Sequence, residues 1–158
     1  MDAASMWKRF GGEGSYDAWC FGDDADRLAA LVLAGQKTAT SSAYPLYAVE
    51  KEPLPQAGEY SVILDAQGNA VCVIRTTRVY LTPFSAVSPE HARREGEGDL
   101  SLAYWRRIHR AFFTKEMNAA GQTFDERMNV VCEEFERVFP TDCQGASTAE
   151  GTGNRYVP

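Results

Sequence analysis

The sequence predicts an α+β fold in which a small, mostly antiparallel β-sheet curls toward a barrel and is flanked by helices. The first observation is a β-hairpin, with strands over residues 59–65 and 70–81 joined by a turn at 67–69. The second is a final strand over 128–139, which helical segments separate from the hairpin. A sheet this short usually curls to protect its edges.

Helices are predicted on both sides of the hairpin. A short N-terminal helix precedes the glycines near residue 11, and a second helix covers 23–34, where acidic residues crowd the start and Gly35 follows the end. The pair Ser88-Pro89 opens a helix that ends at Gly96. A long helix then runs from a cap at Asp99 or Ser101 to about residue 120, whereas residues 44–55, with three prolines, are predicted to be a loop.

Length and charge limit the class of protein. The 158 residues fit one domain over 1–140, followed by a tail over 141–158 that is poor in large apolar groups and expected to be mobile. A net charge of −6 argues against duplex DNA as a partner, because such binding requires neutralisation of phosphates. No apolar stretch is long enough to span a membrane and residues 1–9 show no signal-peptide pattern, so we expect a cytoplasmic protein.

The cysteines do not indicate a metal or redox site. The sequence has four, Cys20, Cys72, Cys132 and Cys143, and none of them forms a Cys-x-x-Cys pair. Reduced structural cysteines are therefore expected, as is usual in the cytosol.

The segment 35–42, Gly-Gln-Lys-Thr-Ala-Thr-Ser-Ser, carries the chemistry of greatest interest. A lysine that loses its proton on burial can activate a nearby hydroxyl as a nucleophile. Composition alone favours the simpler interpretation, a helix end followed by a polar edge strand. Both interpretations stay open at this point.

Three further groups could contribute to a site. Residues 91–99 contain three acids, Glu95, Glu97 and Asp99, which suit acid/base chemistry but equally suit a solvated helix end. Arginines over 93–110 could clamp phosphates or form the wet face of a helix. Trp19 and Phe21 could stack on a base, although aromatic residues before a helix usually belong to the core.

Taken in order, these segments resemble the ASCH domain family, and in particular its larger bacterial group of about 150 residues. The resemblance covers about residues 16–140 and follows Trp19…Phe21-Gly22, the 35–41 segment, Pro55…Gly58-Glu59-Tyr60, Glu95 to Ser101 with Trp105 and His109, and Val130 to Phe135.

The resemblance implies a PUA-like β-barrel and a role with RNA or its building blocks. Some small ASCH proteins are amidohydrolases that remove the acyl group of N4-acetylcytidine with a Lys-Thr-Glu triad, which matches Lys37, Thr40 and Glu95 here. Lys37 would then act as general base on Thr40, and Glu95 would orient Lys37.

The expected partner is a modified nucleoside or single-stranded RNA, with no cofactor and no metal. Two alternatives remain: a single-strand-specific ribonuclease, and a non-catalytic module that binds RNA or senses a nucleotide. This chain departs from the small amidohydrolases in its greater length, its N-terminal helix and its Ser41-Ser42, which puts the substrate in question. The residues expected to contact substrate are Thr38, Ser41, Ser42, Trp19, Phe21, Arg93, Arg106 and Arg110.

Overall fold

The sheet has five strands in the order β1-β3-β4-β5-β2. In this computed structural model, which describes residues 1–141, β1 pairs with β3 in parallel and all other neighbours are antiparallel. The predicted α+β class with a mostly antiparallel sheet is therefore confirmed. The strands are β1 (Asp17–Trp19), β2 (Ala39–Ala43), β3 (Tyr60–Leu64), β4 (Ala70–Pro83) and β5 (Asn129–Phe139).

The two longest strands give the sheet its curl. The ladder between β4 and β5 shifts register between Val73 and Ile74 and again between Thr76 and Arg78. Each such bulge bends its strand and increases the local twist. The edge strands β1 and β2 do not pair with each other, so the sheet is a curled half-barrel with an open side.

Two of the helices begin at a serine that caps them. The hydroxyl of Ser88 accepts a hydrogen bond from the amide of His91, and that of Ser101 accepts one from Tyr104, so each opens its helix. Gly96 ends the first of these two helices with φ of 71°. The α-helices are α1 (Ala3–Phe10), α2 (Ala25–Leu33), α3 (Tyr44–Glu50), α4 (Pro89–Glu95) and α5 (Leu102–Ala119), with a 3-10 turn at Phe84–Ala86.

Side-chain alternation along the strands distributes the helices over the sheet. Val62 packs with Trp7 of α1, whereas the next residue, Ile63, packs with Val32 of α2 on the opposite face. A third cluster joins α3, α4 and α5 to β5 and includes Phe84, Trp105, Phe113, Val130 and Cys132.

Two predictions of secondary structure are wrong or incomplete. Residues 44–50 form the helix α3 rather than a loop, because Pro45 occupies its first turn, where no intrahelical donor is needed. The strand β1 was not predicted at all. It is three residues long, and it depends on its pairing with β3 rather than on any pattern of its own.

Other expectations are met within the described residues or lie outside them. Cys20 is exposed and Cys72 and Cys132 are buried, all as free thiols. Cys143 and all of the predicted tail except Thr141 fall outside the described part of the chain. No helix within residues 1–141 is long and apolar enough to cross a membrane.

Candidate functional site

The concave side of the half-barrel encloses a cavity of about 580 Å³, to which all five strands contribute. Cavities of roughly 300–1,000 Å³ are typical of small-molecule sites. The lining residues come from the strands, from the segments 20–22 and 52–55, from the residue before β3, and from α3 and α5. They are Asp17, Ala18, Trp19, Cys20, Phe21, Gly22, Thr40, Ser41, Ser42, Tyr47, Glu52, Pro53, Leu54, Pro55, Glu59, Ser61, Thr76, Phe112, Glu116 and Glu133.

Two adjacent strands provide the polar wall of the cavity. Thr40 of β2 lies directly opposite Glu133 of β5 in the antiparallel ladder, so their side chains emerge on the same face. The hydroxyl of Thr76 donates to Oε2 of Glu133 at 2.7 Å. On the same face as Thr40, the hydroxyls of Ser42 and Tyr47 lie 2.7 Å apart.

The cavity lining is acidic. It contains five carboxylates and, among the described residues, no lysine, arginine or histidine. Burial raises the pKa of Glu133, and the nearby charges of Glu59 and Asp17 raise it further, whereas the Thr76 hydrogen bond acts in the opposite direction. Burial likewise raises the pKa of Glu116, with Glu50 and Asp23 adding to the shift.

The second part of the site is a buried charge network around Lys37. The Lys37 ammonium lies 3.0 Å from Oε1 of Glu95 and 2.9 Å from Oε2 of Glu97. The Lys37 side chain is 1% exposed and that of Glu95 is 2% exposed. The side chain of Gln36 also links these two segments, because it donates to the carbonyl of Gly96 at 2.7 Å.

Glu95 collects hydrogen bonds from several directions. Its Oε2 accepts from the indole of Trp105 at 2.7 Å and from the hydroxyl of Ser41, and it lies 3.0 Å from Nε2 of His91. Its Oε1 lies 3.5 Å from Nε2 of His109, whose ring stacks on Trp105. A buried carboxylate with this many partners is held in one position.

The network fixes the charge state of its members. Burial opposes the charge on Lys37, but the carboxylates of Glu95 and Glu97 outweigh it and raise the Lys37 pKa above its ordinary value. Burial also opposes ionisation of Glu95, yet Lys37 and His109 hold its pKa well below the usual range. The same carboxylate raises the pKa of His109, although burial of the ring acts against this.

The three residues of the implied triad are thus not joined as the resemblance suggests. Thr40 lines the cavity, whereas Lys37 is not among the lining residues and forms no hydrogen bond to Thr40. The raised pKa favours the protonated form of Lys37 in this arrangement, whereas a general base needs the neutral form. The predicted orientation of Lys37 by Glu95 is present, and the catalytic assignment of the three residues stays a prediction.

The other predicted site residues divide into two groups. Trp19, Phe21, Ser41 and Ser42 line the cavity, and the Phe21 ring also lies 5.3 Å from the Lys37 ammonium. Thr38 is outside it, and its hydroxyl donates to the carbonyl of Arg94 at 3.3 Å.

The predicted arginines do not reach the cavity. Arg93 pairs with Glu90 on the exposed side of α4, Arg106 donates to the carbonyl of Ser85, and Arg110 pairs with Glu126. Their expected contact with substrate is not supported by these positions.

Several residues of the site were not predicted from the sequence. Glu133, Thr76 and Ser61 lie on strands whose pattern gives no sign of a cavity, and they meet only when the sheet curls. Glu97 was expected in a solvated loop, but its residue is 8% exposed because it pairs with Lys37. His91 is buried against Glu95, and its Nδ1 has no hydrogen-bond partner among residues 1–141.

Comparison with known proteins shows which solved structures share this fold. The chain resembles the crystal structure of an ASCH domain from Lactobacillus crispatus, with a TM-score of 0.78 and 33% identity over 85% of this chain and 92% of that one. It resembles the protein EF3133 from Enterococcus faecalis equally well, with a TM-score of 0.76 and 35% identity over 86% of each chain.

A more distant structure, the hypothetical protein PH0355, has a TM-score of 0.51 and 13% identity over 78% of this chain and 99% of that one, and it supports the fold alone. No curated protein matches the chain. The model of the ASCH domain family matches residues 17–139, which begin at the first residue of β1 and end at the last residue of β5. The chain belongs to the ASCH domain family.

Proposed function

We propose that this ASCH domain is a hydrolase that binds an uncharged nucleoside in its central cavity and removes an acyl group from the base, as in N4-acylated cytidine. One observation carries this proposal: the cavity has the volume of a small-molecule site, aromatic and hydroxyl-bearing walls, and five carboxylates without a lysine or arginine in the described lining.

The charge of the lining favours a nucleoside over an RNA strand. A strand brings a phosphate for every nucleotide, and proteins bind such chains by lining the path with basic residues. Here Arg106 and Arg110 are engaged elsewhere on the surface, and the cavity presents carboxylates instead. A ribonuclease would have to hold phosphates against this field.

The aromatic side chains suit the ring of a base. Trp19, Tyr47 and Phe112 line the cavity from β1, α3 and α5, and Trp19 stacks edge-on against Phe21 at 5.1 Å. Gly22 allows the Phe112 ring to pack closely against this segment, because a Cβ at position 22 would come within 2.9 Å of the ring. Base-on-aromatic contacts contribute about 1–3 kcal/mol each.

The hydrolysis uses Thr40 as the nucleophile. Its hydroxyl oxygen attacks the acyl carbonyl, the bond to the base nitrogen breaks, and that nitrogen takes a proton; water then hydrolyses the ester on Thr40. Because Lys37 already carries its proton, the hydroxyl proton passes to a carboxylate of the cavity lining. Lys37 then contributes a fixed positive charge near Phe21 rather than base catalysis.

The test compares Thr40→Val with Thr77→Val, the same change at an exposed position of β4 outside the cavity lining. The purified full chain is assayed with N4-acetylcytidine and with labelled single-stranded RNA. We expect deacetylation by the wild type and by Thr77→Val, and at least a hundredfold loss in Thr40→Val. Lys37→Ala and Glu95→Gln are assayed alongside, with thermal melting to separate lost activity from lost folding.

Three results contradict the proposal. Deacetylation that persists in Thr40→Val would show that Thr40 is not the nucleophile. Strand cleavage without deacetylation favours the ribonuclease. Nucleoside binding without any turnover favours the non-catalytic module.

A further inference from the structure

Glu133 has a place in the cavity that the implied triad does not use. It lies opposite Thr40 in the β2–β5 ladder, and Oε2 is held by the hydroxyl of Thr76 at 2.7 Å. Its Oε1 has no hydrogen-bond partner among residues 1–141. Those residues have a few unpaired side-chain atoms that are closed off from solvent, and Oε1 of Glu133 is not among them. Oε1 is therefore open to a molecule in the cavity.

Within residues 1–141, the cavity around Glu133 contains no lysine, arginine or histidine. The neighbouring strands β2 and β4 contribute the hydroxyls of Thr40, Ser41, Ser42 and Thr76 to the cavity. The titratable groups that share the cavity with Glu133 are Asp17 on β1, Glu59 before β3, Tyr47 on α3, Glu52 after α3 and Glu116 on α5. A ligand that brings a proton or an N–H donor to Glu133 relieves this repulsion.

A carboxyl group that holds one proton presents a donor and an acceptor side by side. The complementary edge is a basic ring nitrogen next to an N–H, which the bases cytosine and adenine both present. Uracil instead presents an N–H between two carbonyl oxygens, to which an ionised carboxylate bonds through that N–H alone. Oε2 remains available for such a pair because a carboxyl oxygen has two lone pairs and Thr76 uses one.

We propose that Glu133 selects the ligand by pairing with the edge of an amino-substituted base, such as cytosine or adenine, and that one proton is taken up as this pair forms. The inference rests on the proposed binding of a nucleoside in the cavity. It adds to that proposal the class of base and the residue that recognises it.

The test measures the binding of cytidine, adenosine and uridine to the full chain at several pH values by titration calorimetry. Above the pKa of the Glu133 carboxyl, we expect the affinity for cytidine and adenosine to fall by about tenfold for each pH unit. The affinity for uridine should change little. Any protonation of the free nucleoside is the same for every variant, so it cancels in the comparison.

Substitutions test whether Glu133 is the group that takes up the proton. Glu133→Gln keeps a donor and an acceptor without a titratable proton, so it should bind cytidine with an affinity that no longer depends on pH. Glu133→Ala should lose at least tenfold in affinity at low pH. Asp17→Asn should keep the pH dependence but move its midpoint to lower pH, because one like charge has been removed. Glu136→Gln, on the exposed part of β5, is the matched control and should behave as the wild type.

The outcomes separate this inference from the proposed function. If cytidine binds and its pH dependence persists in Glu133→Gln, or if Glu133→Ala binds as well as the wild type, the role of Glu133 is refuted while nucleoside binding stands. If the wild type binds no nucleoside at any pH, both proposals are refuted. Melting curves for each variant verify that the chain is folded.

Discussion

Lys37 and Glu95 form an ion pair of 3.0 Å across 58 residues of sequence, with both side chains almost completely removed from solvent. Burial of a charged pair gives little net stability when compared with a well-packed apolar pair. Removal of one partner is costly, however, because the other charge then remains buried and uncompensated. The pair joins the segment before β2 to the end of α4, next to the cavity wall.

The first prediction concerns this pair. Lys37→Met leaves Glu95 and Glu97 without their shared cation, and we expect a loss of about 3–5 kcal/mol in the free energy of unfolding. Urea denaturation measures it. The control is Lys115→Met, since Lys115 is 77% exposed and its contact with Asp23 is 3.6 Å long. That change should cost less than about 0.5 kcal/mol. Similar losses in the two variants would contradict the buried pairing.

The second prediction is the pH dependence of stability. The pKa of Glu95 is lowered in the folded state, so its contribution is present above the ordinary value of 4.5 and is lost as the pH falls through the lowered value. The pKa of His109 is raised, so its contribution is complete below 6.5 and is lost as the pH rises through the raised value. The network should therefore stabilise the fold most between pH 4.5 and pH 6.5.

Melting temperatures across this range provide the measurement. In the wild type, the melting temperature should fall on the acid side partly because Glu95 is protonated, and Glu95→Gln should lack that part of the fall. His109→Asn should likewise lack the part of the alkaline fall that comes from deprotonation of His109. Glu136→Gln, whose side chain is 56% exposed, should follow the wild-type curve. An unchanged acid limb in Glu95→Gln would assign the decline to other carboxylates.

The third prediction tests the close approach of α4 to the segment before β2. Gly96 has φ of 71°, and a Cβ there would lie 2.4 Å from the carbonyl oxygen of Gln36. Gly121 has a similar φ of 74° with nothing within 4 Å of the same position. Gly121→Ala should cost only the left-handed conformation, about 1–2 kcal/mol. Gly96→Ala should cost clearly more, and equal losses in denaturation experiments would refute the steric argument.

The fourth prediction follows from the acidic lining. Cytidine should bind more tightly than cytidine 5′-monophosphate, because the added phosphate faces carboxylates such as Glu52 and Glu59. Added salt should narrow the difference, since it screens the repulsion. Calorimetric titration of both ligands at two ionic strengths is the measurement. A tighter monophosphate would indicate a phosphate site and would favour the ribonuclease.

The sequence predicts those parts of the fold that local signals determine. The hairpin of β3 and β4, the caps Ser88 and Ser101 and the glycine that ends α4 act within a few residues, and the structure has each of them where it is expected. The strand β1 has no such signal because its pairing with β3 spans more than 40 residues. Pro45 was misleading, since the same residue suits a loop and the first turn of a helix.

The site follows the same division. Lys37, Thr40 and Glu95 were identified through the family resemblance, but the sequence does not reveal that Lys37 turns away from the cavity toward two carboxylates. The role of Glu133 in the cavity depends on the register of β2 and β5 and on the bulges that curl β4. These are long-range features, and alternation along a single strand cannot specify them.

The last prediction links Glu133 to stability. Its pKa is raised in the folded state, so ionisation opposes folding, and stability is lost as the pH rises from the ordinary value of 4.5 through the raised value. Glu133→Gln removes this cost and should raise the melting temperature at neutral pH, with the gain vanishing below pH 4.5. Glu136→Gln should change the free energy of unfolding by less than about 0.5 kcal/mol and so leave the melting temperature nearly unchanged. A fold that becomes more stable when Glu133 is neutralised retains that carboxyl at a cost, as binding sites commonly do. A lower melting temperature for Glu133→Gln at neutral pH would show instead that the carboxylate supports the sheet through Thr76.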